Sequence, residues 1–133
     1  MTVSSDLFNA AKSAMDKAYA PYSQFLVGAA VRASSGKIFS GGNVENAAYP
    51  QGWCAEASAL AAMASSGERR VLEVVVVANG KDLVTPCGGC RQKLREFAAD
   101  DTPVHLCSPE GWRRTVTLGE LLPLAFGPEH LAE

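Results

Sequence analysis

This chain of 133 residues lacks several features that mark whole classes of protein. It has no basic surplus, since 12 Lys and Arg stand against 14 Asp and Glu, and this balance disfavours a nucleic-acid polymer as partner. No apolar run approaches the ~20 residues that a membrane span needs, and residues 1–23 carry charges throughout, unlike a signal peptide. We therefore expect a cytoplasmic protein without a membrane partner.

Cysteine is sparse, and its number is informative. The four cysteines of a chain in a reducing compartment are expected to be free thiols or metal ligands rather than a disulfide framework. The remaining composition, 47% hydrophobic and 20% charged, is ordinary for a globular protein. Together with the length, it predicts a single domain over residues 1–133.

The spacing of apolar residues alternates between helical and strand patterns. Helices are expected at 7–18, 54–66, 91–100 and 119–126, and strands at 25–33, 37–42, 71–80, 103–107 and 113–118. Pro21 should end the first helix, and Pro123 should break the last. A hairpin followed by alternating strands and helices predicts an α/β fold, a three-layer α/β/α sandwich with a mixed five-stranded sheet.

Three cysteines lie where helices are expected to begin. Cys54 opens the helix at 54–66, and Cys87 and Cys90 form Cys-Gly-Gly-Cys before the helix at 91–100. A helix N-terminus stabilises thiolates through its dipole and its unpaired backbone N–H groups. Three thiolates from two helix starts can form a zinc site with the fourth position left for water, which is typical of catalytic rather than structural sites.

Taken one at a time, these residues also fit less specific interpretations. A single Cys-x-x-Cys is a redox pair, a metal site or a coincidence. Cys54 alone fits a small buried hydrophobe, and Glu56 alone fits a solvated acid in a first helical turn. The joint pattern favours a catalytic metal site: Cys-Ala-Glu at 54–56, then Pro-Cys-Gly-Gly-Cys at 86–90.

This joint pattern resembles the signature of the zinc deaminases, in which Pro-Cys-x-x-Cys follows a glutamate near the first ligand. Longer segments are similar to motifs of the small homotetrameric cytidine deaminases, in the same order. They are YAPYSQFLVGAA (19–30), GGNVENAAYP (41–50), TPCGGCRQ (85–92) and ELLPLAF (120–126). The resemblance covers roughly residues 8–127 and is highly specific.

The resemblance implies the metal site and the reaction. Cys54, Cys87 and Cys90 would hold Zn²⁺, and Glu56 would carry protons. The reaction would be hydrolytic deamination of cytidine and 2′-deoxycytidine to the uridine nucleosides, with release of ammonia, in pyrimidine salvage. The alternatives are deamination of a modified cytosine nucleoside, such as blasticidin S or an N4-substituted cytidine, and a non-catalytic zinc or redox protein that would not need Glu56.

The resemblance also implies how a nucleoside substrate is bound. Phe25 would stack on the pyrimidine, Asn43 and Glu45 would bind the ribose hydroxyls, Ala55 would offer its backbone N–H to the base, and Phe126 would reach into a neighbouring subunit of a homotetramer. Polar groups left unpaired in a binding site are costly, so free cytosine is expected to be a poor substrate.

The chain departs from the family pattern beside the expected zinc site. Many members have an arginine after Cys-Ala-Glu that donates to the zinc thiolates, and here the position is Ala57. Arg91 is the first candidate to compensate the thiolate charge and Arg95 the second, while each also fits a surface arginine. The loop Tyr49–Trp53 differs too, and Trp53 is bulky, which favours the modified-nucleoside alternative.

The remaining cysteine and the two histidines lie outside the pattern. Cys107 falls in an expected strand and is interpreted as a buried structural thiol. His105 and His130 are not needed by any of the roles above.

Overall fold

Two helical layers enclose a five-stranded sheet in the computed structural model, which describes residues 3–132. The strands are β1 (Val27–Ala33), β2 (Ile38–Gly42), β3 (Val71–Ala78), β4 (Pro103–Ser108) and β5 (Gly111–Thr117). The α-helices are α1 (Ser5–Asp16), α2 (Ala55–Ser65), α3 (Gly88–Phe97) and α4 (Leu118–Leu121). Short 3₁₀ helices cover Tyr49–Gln51 and Pro128–His130.

The sheet is mixed, with the order β2-β1-β3-β4-β5. β1 and β2 form the expected antiparallel hairpin, β3 runs antiparallel to β1 and parallel to β4, and β5 returns antiparallel to β4. The predicted three-layer α/β/α sandwich is therefore confirmed.

The valine run of β3 is buried because helices cover both faces of the sheet. Val74 and Val76 pack in one cluster with residues of α2 and α3, and Val75 and Val77 pack in the other with residues of α1. A strand that is covered on both faces shows continuous apolarity rather than alternation.

Glycines in the hairpin let helices approach the sheet closely. A Cβ at Gly28 would lie 2.0 Å from the carbonyl oxygen of Ala11 in α1. A Cβ at Gly41 would lie 2.4 Å from the Cβ of Ser58 in α2. The start of α2, which carries the candidate site residues, is thus held close to β2.

Two helix ends differ from the expected ones. α1 ends at Asp16 rather than at residue 18, and the backbone N–H of Tyr19 donates instead to the carbonyl oxygen of Asn43 (2.9 Å). The predicted helix 119–126 ends at Leu121, which confirms the expected break near Pro123: proline cannot continue the helix, and Leu124 has a left-handed backbone (φ 53°).

Two other boundaries were misplaced near the candidate site. α3 begins at Gly88 rather than at residue 91, because Cys-Gly-Gly-Cys itself forms the first turn and the N–H of Arg91 donates to the carbonyl of Cys87 (3.0 Å). β1 begins at Val27 rather than at Phe25, because side chains bond the backbone of the two preceding residues. Among the described residues, no helix has the length and apolarity needed to cross a membrane.

Candidate active site

The three predicted cysteine ligands meet at the start of two helices. Cys54 directly precedes α2, Cys87 directly precedes α3, and Cys90 lies in the first turn of α3. Their sulfur atoms all lie within 4.8 Å of one another, and those of Cys54 and Cys87 are 3.7 Å apart. Sulfurs at about 2.3 Å from a tetrahedral zinc ion are about 3.8 Å apart. The donor set and its spacing therefore fit Zn²⁺.

The three thiols differ in acidity. Burial raises the pKa of Cys54 and of Cys90. Burial acts in the same direction on Cys87, but the backbone N–H of Cys90 donates to this sulfur, and the net pKa of Cys87 lies below its ordinary value. Because thiolates are the metal-binding form, a cation at this cluster displaces protons that burial otherwise retains.

Glu56, the second residue of α2, lies beside the cysteines. Its side chain is 4% exposed, and burial raises its pKa. After burial, the charge of Glu56 is the largest cause that raises the pKa of Cys90. Cys54 has an extended backbone (φ −78°, ψ 156°) outside the helix, so helical spacing does not keep it apart from Glu56. A buried carboxyl group at a metal site is suited to accept and donate protons.

A short extended segment, Asn43–Glu45, lies against the loop that leads into Cys54. Its central residue Val44 exchanges two backbone hydrogen bonds with Trp53, of 2.8 and 2.9 Å, and Trp53 directly precedes Cys54. On its other side the segment bonds the backbone of Tyr19. The two polar side chains of this segment are thereby held at a fixed position next to the cysteines.

Three of the predicted substrate residues, Phe25, Asn43 and Glu45, are linked in one hydrogen-bond network that includes Ser23. The carboxylate of Glu45 accepts the backbone N–H of Tyr22 (3.0 Å), the N–H of Ser23 (3.1 Å) and the Ser23 hydroxyl. These bonds, the hydroxyl first, lower the pKa of Glu45. The Ser23 oxygen accepts the N–H of Phe25 (3.0 Å), and the Asn43 amide donates to the carbonyl of Phe25 (2.9 Å).

A cavity of about 510 Å³ is lined by the metal ligand Cys54 together with Asn43 and Glu45. The other lining residues are Tyr22, Ser23, Asn46, Tyr49, Gly52 and Trp53. Sequence reasoning flagged the loop Tyr49–Trp53 but assigned no role to Ser23 or Tyr22. The one signal for them was their position inside the segment YAPYSQF, directly before Phe25.

Two predicted aromatic residues lie outside the lining of this cavity. The ring of Phe25 packs on Gly80, where a Cβ would approach it to 2.9 Å, and the side chain is 37% exposed. Phe126 is 56% exposed, stacks on His130 with ring centroids 5.2 Å apart, and lines a different cavity with Gln92. Within a single chain, Phe126 therefore does not line the cavity that contains Cys54.

Arg91 does not take the place of the family's arginine as a donor to the thiolates. Its guanidinium donates to oxygen instead: to the carbonyls of Pro86 (2.7 Å) and Leu121 (2.8 Å) and to the hydroxyl of Thr85 (2.8 Å). The Leu121 carbonyl lies at the C-terminal end of α4, where carbonyls lack intrahelical partners, and this explains why it accepts the arginine.

The second candidate arginine is also engaged elsewhere. Arg95 pairs with Asp100 (3.2 Å). At the missing-arginine position, Ala57 lines an apolar groove between α2 and α3. Trp53 borders the same groove, and the ammonium of Lys93 lies 5.7 Å from the centroid of its ring. Trp53 and Lys93 are thus among the residues that border the space beside Ala57.

The remaining cysteine and histidine lie on β4. Cys107 is buried, and burial raises its pKa to about 11, which fits the predicted structural thiol. His105 is also buried and bonds Glu73 (3.0 Å) and Thr115 (2.8 Å) across the sheet.

A three-layer α/β/α fold that carries three clustered cysteines at two helix starts, with a buried glutamate beside them, defines a metal-dependent deaminase. Comparison with known proteins agrees. Residues 1–106 match the family model described as the cytidine and deoxycytidylate deaminase zinc-binding region. The chain belongs to this family.

Individual relatives match over nearly their whole length. The chain is 43% identical over 125 residues to a cytidine deaminase of Halalkalibacterium halodurans, covering 94% of this chain and 95% of that one. It is 41% identical to a cytidine deaminase of Mycobacterium tuberculosis, covering 86% and 82%. The crystal structure of a cytidine deaminase from Burkholderia pseudomallei superposes with a TM-score of 0.87 at 42% identity, covering 93% and 99%.

Proposed function

We propose that this protein catalyses the zinc-dependent hydrolytic deamination of cytidine and 2′-deoxycytidine to uridine and 2′-deoxyuridine, with release of ammonia. The observation that carries the proposal is the cluster of Cys54, Cys87 and Cys90 with buried Glu56 beside it, in a chain of the cytidine deaminase family. The relatives described above are named cytidine deaminases, which favours this reaction over a structural zinc site.

The cysteines and Glu56 divide the chemistry between them. Cys54, Cys87 and Cys90 would hold the zinc ion, which supplies Lewis acidity and lowers the pKa of water at this position. Glu56 accepts the proton of the attacking water and delivers it to N3 of the pyrimidine. The water oxygen bonds to C4, and Glu56 then takes the proton of the resulting C4 hydroxyl and delivers it to the exocyclic amine, which leaves as ammonia as the C4–N bond breaks. The raised pKa of Glu56 suits a group that must accept and release a proton in one turnover.

Asn43 and Glu45 bind the ribose hydroxyls in this proposal. The Asn43 amide donates one hydrogen to the carbonyl of Phe25, which leaves a second hydrogen for a ligand. Oε1 of Glu45 already accepts two backbone N–H groups, but Oε2 accepts the Ser23 hydroxyl alone and keeps a lone pair for a ligand. Both groups line the same cavity as Cys54, so a nucleoside can contact them while its base reaches the cysteines.

The base is bound by groups around the start of α2. Ala55 is the first residue of α2, so its backbone N–H has no partner within the helix and is free to donate to the pyrimidine. Phe25 precedes β1 and supplies the stacking ring.

We further infer a homotetramer in which Phe126 completes a neighbouring site. α2 consists almost entirely of Ala, Ser, Leu and Met, yet Ala61 and Ala62 are exposed. A helix that is apolar on all sides is normally buried, which supports coverage of this face by other copies of the chain. We also propose that residues 1–133 form a single domain and that the protein serves pyrimidine salvage in the cytoplasm.

A substrate panel tests the proposal. The purified, zinc-loaded chain is incubated with cytidine, 2′-deoxycytidine, cytosine and N4-substituted cytidines, and ammonia release is followed. We expect turnover of the two nucleosides and little turnover of cytosine. Turnover confined to N4-substituted cytidines would replace the proposed substrate with the modified-nucleoside alternative, which Ala57 and Trp53 favour. No turnover of any compound would refute deamination.

A further inference from the structure

One side chain, that of Arg91, joins the metal loop (residues 85–90) to the end of α4, where the C-terminal segment (residues 122–132) begins. Arg91 donates from Nε to the carbonyl of Pro86 (2.7 Å) and from Nη2 to the hydroxyl of Thr85 (2.8 Å), the two residues before Cys87. From Nη1 it donates to the carbonyl of Leu121 (2.8 Å), where α4 ends. The guanidinium is half-buried between these groups.

The same helix holds the rest of the C-terminal segment. Gln92 donates to the carbonyl of Phe126 (2.9 Å), and Arg95 pairs with Glu129. α3 therefore carries two metal ligands on its first turn and, through three side chains, fixes the segment that contains Phe126.

The C-terminal segment has few other contacts that could set its position. Beyond Leu121 its regular structure is the short 3₁₀ helix Pro128–His130. Leu124 is fully exposed, and Phe126 is more than half exposed. Its placement relative to the cysteines thus depends strongly on the side chains of α3.

We infer that Arg91 is a positioning residue that couples the metal loop to the C-terminal segment, so that retention of zinc and placement of Phe126 depend on one guanidinium. The inference rests on the proposed function only in giving Phe126 a role at a neighbouring site. A lysine does not substitute, because three oxygens in different directions require the planar fork of an arginine.

The test measures zinc release and local hydrogen exchange in the full, zinc-loaded chain. Arg91→Met and Arg91→Lys are compared with Thr85→Val, which removes one of the three partners. We expect zinc release to a chromogenic chelator to be faster by roughly tenfold or more for both Arg91 variants, because hydrogen bonds from a charged donor are among the stronger ones. Thr85→Val should give a smaller increase.

Hydrogen exchange separates positioning from a general loss of stability. Protection should fall at residues 85–90 and 119–127 in the Arg91 variants and stay unchanged in β3. Arg69→Met is the matched control, since Arg69 also donates to carbonyls, those of Ala64 and Glu68 at the end of α2. It should leave zinc release and both segments as in the wild type.

The outcomes decide the inference in each case. Wild-type zinc release and exchange in the Arg91 variants, full rescue by lysine, or equal loss of protection in β3 would overturn it. If Arg91→Met does not fold, Arg91→Lys and Thr85→Val decide. Cytidine turnover of the wild-type preparation is measured alongside, so failure of the proposed function is recognised separately from failure of the Arg91 coupling.

Discussion

The metal centre and the C-terminal segment 122–132 both contact α3, but different interactions hold each of them in place. Cys54, Cys87 and Cys90 are placed by the backbone geometry at the starts of α2 and α3. Both helices pack on the sheet in one hydrophobic cluster. The C-terminal segment is held by side-chain hydrogen bonds from α3, and its large apolar residues face outward.

This difference separates the site that a single chain completes from the segment that, in the proposed homotetramer, would contact a neighbouring chain. The cysteine cluster reaches metal-binding distances within the single chain. Phe126 stacks on His130 and lies outside the cavity that contains Cys54. Changes in the first region should therefore act within each subunit, and changes in the second should act across subunits.

The largest effect is expected at Glu56. Glu56→Gln should lower cytidine turnover by roughly three orders of magnitude, because the amide cannot shuttle a proton. Zinc content and circular dichroism should stay as in the wild type. Glu96→Gln, an exposed acid on α3, is the control and should be fully active. Wild-type turnover by the Glu56→Gln protein would contradict the catalytic role of Glu56.

Glu45 should come next, through substrate choice. Glu45→Gln is expected to lower kcat/KM for cytidine by roughly 100-fold, because a site built to bind a hydroxyl loses most discrimination when one partner is changed. Turnover of cytosine should change little, so the preference for the nucleoside should shrink. Glu110→Gln, in the exposed turn between β4 and β5, serves as control. An unchanged cytidine-to-cytosine ratio would contradict ribose binding by Glu45.

Phe126 offers the direct test of action across subunits. Phe126→Ala should keep its zinc and lose up to roughly tenfold in activity, the scale of one aromatic contact. Mixed with the Glu56→Gln chain under conditions of subunit exchange, it should regain activity, because some sites then combine an intact Glu56 with a partner's Phe126.

Mixing Phe126→Ala with the double variant Glu56→Gln/Phe126→Ala is the control and should give no recovery. Recovery in neither mixture, with exchange verified by mass spectrometry, would place the effect of Phe126 within its own subunit.

The smallest effect is expected at the contact between Lys93 and Trp53, the residue before Cys54. Lys93→Met should change zinc retention and KM by less than about threefold, since cation–π contacts at exposed sites contribute little. A loss greater than tenfold in zinc retention would instead identify Lys93 as a residue that compensates the charge of the thiolates.

The sequence predicted best those features that local chemistry determines. The valine run predicted β3, and the placement of cysteines at helix starts predicted the metal cluster, because helix N-termini impose both position and electrostatics. Features set by tertiary contacts were missed. α1 ends earlier than predicted, and the N–H of Tyr19 bonds Asn43 instead of continuing the helix. The hydrogen bond from Arg91 to Leu121 could not be deduced from the position of Arg91 after Cys90.

The proposed contacts between chains mark a second limit of prediction from sequence. The apolar pattern of residues 119–126 fits a helix, yet Leu124 and Phe126 project outward from an irregular segment. Outward apolar side chains and buried ones give the same sequence signal, so periodicity alone cannot tell a core helix from a surface offered to a partner.

Metal removal tests the central claim most directly. The purified chain is assayed for zinc content and cytidine turnover before dialysis against a chelator, after it, and after zinc is added back. The account predicts one zinc ion per chain, loss of turnover in step with loss of zinc, and recovery on reconstitution, none of which should occur in Cys87→Ser. Full turnover by metal-free protein would contradict it.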